Sequence, residues 1–148
     1  MKTKFLLALL LLFSYNMQSQ GYKERREQIK ALKVSFITTE LSLTSDEAAK
    51  FWPVYNTFEE KEFEIKHNKI RKLVKQLDEK GIDKMSDKEA MTCLNQLETA
   101  DEELFLLKQK LVNDLKTIIS PVKILKLKKA EKDFDRKLLE KYRQRKRN

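Results

Sequence analysis

Two glycines and two prolines in 148 residues leave this chain few places to turn. Glycine supplies left-handed turns and proline rigid ones, so their scarcity favours long uninterrupted helices. Charged residues make up 37% of the chain, enough to coat the outer faces of such helices. No stretch alternates polar and apolar residues as a half-buried strand does. The expected fold is all-α with four helices, two of them long and central. So long a pair need not fold into a compact bundle: it can form an open hairpin or a curved sheet of helices, which tends to dimerise to cover its apolar face.

The helix boundaries follow from capping chemistry. The first helix is expected from about Tyr22 to Glu40, with Ile29, Leu32, Phe36 and Ile37 on one buried face. Leu41-Ser42-Leu43 reads as a connection. Thr44-Ser45-Asp46-Glu47 is a capping box: the Thr44 hydroxyl accepts from a backbone N–H, and Glu47 reaches back to the cap. It opens a second helix carrying Ala48, Phe51, Trp52, Tyr55, Phe58, Ile65, Leu73 and Leu77. Pro53 lies inside it and predicts a kink near residues 49–52. Gly81 is the expected left-handed cap. Ser86-Asp87-Lys88-Glu89 is a second capping box and opens the third helix, with Leu94, Leu97, Leu104, Leu107, Leu111, Leu115 and Ile118 on its buried face. Ser120 as cap and Pro121 at the first helical position start the fourth. That helix runs through Leu127, Ala130, Phe134, Leu138 and Tyr142.

The first residues carry a different message. Met1-Lys2-Thr3-Lys4 is basic, Phe5 to Phe13 is an unbroken apolar run, and small and polar residues follow to Gly21. That is the layout of a secretory signal peptide. The run is too short to span a bilayer, which takes about 20 apolar residues. Residues 1–20 are therefore read as a cleaved signal, 21–142 as a helical domain and 143–148 as a basic disordered tail. The expected location is the periplasm or the exterior. The plainer alternative is an uncleaved anchor helix.

Export changes the meaning of the charge. Residues 122–148 hold 12 Lys/Arg against 4 Asp/Glu, while residues 21–121 hold 18 against 19. In the cytoplasm Arg143, Arg145, Lys146 and Arg147 would suggest nucleic acid. Outside it they suggest an anionic membrane surface or acidic segments of a partner, or else a solubilising end. Nucleic-acid binding is expected only if the export signal is false. The single cysteine, Cys93, allows no internal disulfide; a buried inert thiol is the first reading and a bridge between subunits the second.

Leu43-Thr44-Ser45-Asp46-Glu47 resembles the LTxxQ motif of the Spy/CpxP-like envelope proteins of Gram-negative bacteria. Ile119-Ser120-Pro121-Val122-Lys123 falls where that family has its second motif. Phe51-Trp52-Pro53-Val54-Tyr55-Asn56 looks like a segment of a branch often labelled sensors of ECF-type sigma factors. Both motifs lack the final Gln: Glu47 stands in the first and Lys123 in the second. The resemblance implies a non-catalytic envelope-stress protein and an antiparallel cradle-shaped homodimer. Such a protein would hold unfolded envelope proteins without ATP, restrain a membrane-bound sensor kinase or anti-sigma factor, or bind metal to control a sigma factor. The family-motif residues are Leu43, Thr44, Glu47, Ser120 and Pro121, for which helix capping alone is the plainer reading.

Chemistry beyond binding has little to work with. One His, one Cys and no Gly-rich phosphate loop offer no nucleophile–base pair, so no catalysis and no cofactor are expected. Glu64 and His67 have the i, i+3 spacing of one helix face, with Glu60 a turn earlier. They are weak candidates for a metal sensor's ligands, and a solvated charged face is the plainer reading. The candidate surface for a client or partner is the aromatic series Phe51, Trp52, Tyr55 and Phe58, together with the basic tail.

Overall fold

The computed structural model describes residues 16–147, with side chains described for residues 24–144. Residues 1–15, which hold most of the expected export signal, lie outside the described residues. So do the side chains of Arg145, Lys146 and Arg147. The described chain is all-α, with four helices and no strand among the described residues. Helix α1 is Asn16–Leu41. Helix α2 spans residues 45–80 in three stretches: α-helical Ser45–Phe63, a π-helical turn Glu64–Ile70, and α-helical Arg71–Lys80. Helix α3 is Asp87–Leu115 and α4 is Pro121–Arg147. No described helix is long and apolar enough to cross a membrane.

The helix starts fall where capping predicts. The Glu47 N–H donates to Thr44 Oγ1 at 3.2 Å and the Thr44 N–H to Glu47 Oε2 at 2.9 Å. Ser86 and Glu89 repeat the exchange at the head of α3, at 3.0 and 3.4 Å. Ser120 Oγ accepts from the Lys123 N–H at 3.3 Å, with Pro121 first in the helix. Gly81 takes the expected positive φ, 75°, but its ψ of 116° leaves the left-handed helical region. The chain then enters a short 3-10 turn, Ile82–Lys84, instead of an αL cap.

Helix α2 runs on through Pro53, and a π turn follows at Glu64–Ile70. Two expectations are corrected. Leu32 and Leu94, expected on buried faces, are about half exposed, at 51% and 52%. In α3 the inward line is Cys93, Leu97, Ala100, Leu104, Leu107, Leu111 and Leu115, so Leu94 sits one residue off it. Cys93 itself is half-buried. Finally, α4 continues to Arg147, where the sequence had suggested fraying after Tyr142.

The chain divides into two compact units. A central unit comprises Leu43–Leu125, and a terminal unit joins Met1–Ser42 to Lys126–Asn148. In the central unit the π turn and α3 share a small core of Ile65, Ala100 and Leu104, with Ile70 and Leu107 packed on it. In the terminal unit Phe36 meets Phe134 with ring centroids 5.8 Å apart, and Lys137 Nζ sits 4.5 Å over the Phe36 ring. Lys129 and Arg136 both pair with Asp133 along α4, at 2.5 and 2.9 Å.

Candidate functional site

The two motif segments, 76 positions apart in sequence, meet through their last residues. Lys123 Nζ lies 2.5 Å from Glu47 Oε2, and both side chains are about three-quarters buried. Position matters at each end. Lys123 is the third residue of α4, where the helix dipole disfavours a cation. Glu47 is the third residue of α2, where the dipole favours an anion. The carboxylate thus serves its own helix cap and neutralises the misplaced ammonium of the other helix. The Lys123 hydrogen bond, then the Thr44 backbone N–H, hold the Glu47 carboxyl below the usual glutamate range. In the same way the Ser86 cap lowers Glu89, helped by Lys80. Of the motif residues, Thr44, Glu47 and Ser120 make the caps, Pro121 starts the helix and Leu43 is half-buried.

The aromatic series belongs to the interior. Phe51 and Tyr55 are fully buried and stack at 5.3 Å with 14° between planes. Phe58 is nearly buried, and Trp52 sits edge-on to both Phe51 and Tyr55 at 5.0 and 5.7 Å. Phe51, Tyr55 and Phe58 therefore form core, not an open binding stripe. An alanine there tests stability before it tests binding. Beside them Asn56 Oδ1 is buried without a hydrogen-bond partner among the described residues.

The weak metal candidates do not assemble. Among the described residues no three His, Cys, Asp or Glu side chains come together. Glu64 and His67 both fall in the π turn, whose wider loop makes i, i+4 and i, i+5 neighbours instead of i, i+3. The His67 ring stacks on Phe63 at 4.1 Å, and its Nδ1 lies 3.4 Å from the Arg71 guanidinium. Arg143 is exposed on α4.

Two features were missed in the sequence. A groove of about 590 Å³ runs between the second half of α2 and α3. Carboxamides from Asn68, Gln76, Asn95 and Gln96 line it, and Lys69 bridges to Glu103 at 2.5 Å. The spacing Asn68/Gln76 on one helix and Asn95-Gln96 on the other is its only sequence signal. The second feature is apolar exposure along α3. Met91, Leu94, Phe105 and Leu106 are all more than half exposed, Phe105 at 64%. They stand among Glu98, Asp101 and Glu102, which are also exposed.

Compared with protein-family models, with curated proteins and with solved structures, the chain matches none. Fold and site together define an all-helical protein of two compact units, whose capped helix starts are joined by an ion pair and whose third helix carries uncovered apolar side chains.

Proposed function

We propose that this chain is a non-catalytic binding protein of the Spy/CpxP-like kind, working outside the cytoplasm as an ATP-independent holder of unfolded envelope proteins. One observation carries the reading: Met91, Leu94, Phe105 and Leu106 present large apolar side chains to solvent along α3, between charged neighbours. Exposed apolar surface rimmed by polar residues marks interaction sites, and a surface of this kind offers non-native chains weak contacts without sequence preference. The meeting of both motif segments at Glu47 and Lys123 supports the resemblance, because the two positions where this chain departs from the family pattern face each other and compensate in charge. The signal-like layout of residues 1–20 in the sequence is what supports the location.

The test is light scattering of an aggregating client, with the purified protein added at equal molar amounts and no ATP. Suppression is expected, and Leu94→Ser/Phe105→Ser should lose most of it while melting at nearly the same temperature, since both side chains are exposed. A folded protein that leaves aggregation unchanged would sink the holder reading. The weight would then pass to a dedicated regulator, whose membrane-bound sensor or anti-sigma partner would be sought by crosslinking at the Leu94 and Phe105 positions.

A further inference from the structure

The terminal unit contains a second recess, chemically unlike anything in the central unit. On α1, Arg25, Gln28, Ile29 and Leu32 follow i, i+3, i+4, i+7 spacing and so share one face. On α4, Leu138, Lys141 and Tyr142 share another. Together they enclose a groove of about 380 Å³, within the size range of small-ligand sites. Ile29, Leu32 and Leu138 make apolar walls. Leu32 and Tyr142 remain 51% and 44% exposed, so much of this apolar surface is uncovered. Arg25 and Lys141 bring two cations to the lining, and no carboxylate lines the groove among the described residues. That absence is informative in a chain with 23 acidic residues. The charge of the unit points the same way: with the expected signal, residues 1–20, left out, it holds 16 Lys/Arg against 7 Asp/Glu, compared with 14 against 16 in the central unit.

We propose that this groove binds a single-chain anionic amphiphile, its acyl chain along Ile29, Leu32 and Leu138 and its carboxylate or phosphate head between Arg25 and Lys141. Apolar walls alone would accept any hydrocarbon, and cations alone any anion; the combination selects a molecule carrying both. Arg25 offers a planar fork of donors suited to a carboxylate or phosphate, and Lys141 adds a mobile point charge. The Tyr142 hydroxyl can donate a further hydrogen bond to the head. A recess between two helices takes one chain, whereas a bilayer surface is met by protruding apolar side chains. The occupant is therefore a monomeric amphiphile, not the membrane itself. The site lies in a different unit from the α3 surface, so the aggregation assay does not bear on it.

The experiment is calorimetric titration of the purified protein with sodium laurate below its micelle-forming concentration. Dodecyltrimethylammonium, inorganic phosphate and phosphatidylglycerol vesicles are titrated in parallel. Laurate is expected to bind, and the ammonium amphiphile about ten-fold more weakly or not at all. Arg25→Glu/Lys141→Glu and Leu32→Ser should each weaken laurate by about ten-fold or more, whereas Lys108→Glu on α3 should not. Circular dichroism melts check that the variants are folded. If the charge reversal disturbs folding, Arg25→Gln/Lys141→Gln decides instead. Four results would overturn the proposal: no laurate uptake by folded protein, equal affinity for the cationic amphiphile, affinity unmoved by the groove variants, or binding to vesicles but not to monomeric laurate.

Discussion

Glu47 has two partners that draw on the same negative charge, the Thr44 backbone N–H and the Lys123 ammonium. Its carboxyl therefore titrates lower in the folded chain than in the unfolded one, chiefly through Lys123 and then Thr44. A lowered folded value means the unfolded state takes up protons first, so this contribution is complete above the ordinary glutamate value and is lost as the pH falls through the folded one. Glu89 and Asp133 act in the same direction. Melting temperature should fall on acidification below about pH 4.5, and Glu47→Gln should melt lower at neutral pH with a shallower acid limb. The pairing itself is tested by a mutant cycle. Lys123→Gln leaves a carboxylate without its main partner and Glu47→Gln leaves an ammonium, each destabilising. The double variant sets two glutamines face to face, which can hydrogen-bond to each other. Its loss should be smaller than the sum of the single losses, read from melts of all four proteins; strict additivity would show that the two residues do not interact.

Helix starts were the most legible elements, because a cap is a local device: Thr44, Ser86 and Ser120 each act on a backbone N–H three residues away. Burial was less legible. Ala100 is almost fully buried yet too small to register as apolar pattern, while Leu94 looks like core and lies outside it. Both follow from which side of α3 meets α2, a tertiary fact. The aromatic series shows the same limit from the other side, since its helical spacing fits core and open stripe equally. The π turn was legible in principle. Phe51, Tyr55, Phe58 and Ile65 keep α spacing, and Ile70, Leu73 and Leu77 keep it again, but Ile65 to Ile70 is a step of five. Five residues is the hydrogen-bond step of a π turn, which brings the second apolar series into line with the first. Deleting one exposed residue there, Lys66, shortens that step to the four of an α-helix and leaves both series in register. The deletion variant should keep its helical circular dichroism and melt within a few degrees of the parent. Collapse of the Lys66 deletion would mean that the wide turn is needed in its own right, through Asn68 and Lys69 in the carboxamide-lined groove.

At the scale of the molecule, charge follows the division into units more closely than it follows the sequence. The last helix looked like the whole basic element, yet α1 contributes Arg25, Arg26, Lys30 and Lys33 to the same unit. Concentrated charge dominates retention on an oppositely charged support. Lys128→Glu/Lys132→Glu in the terminal unit should therefore elute from a sulfonate resin at clearly lower salt than Lys72→Glu/Lys84→Glu in the central unit, although the net charge change is the same. Equal shifts would mean that only net charge counts. The ion pair that joins the motifs has a further meaning here. Glu47 and Lys123 stand near the two ends of Leu43–Leu125, the span of the central unit. That unit therefore leaves the chain and rejoins it at one place. A segment whose ends coincide is the form in which one module is inserted into another without parting the host's ends. The Glu47–Lys123 pair is thus a clasp that closes the central unit at its own two ends.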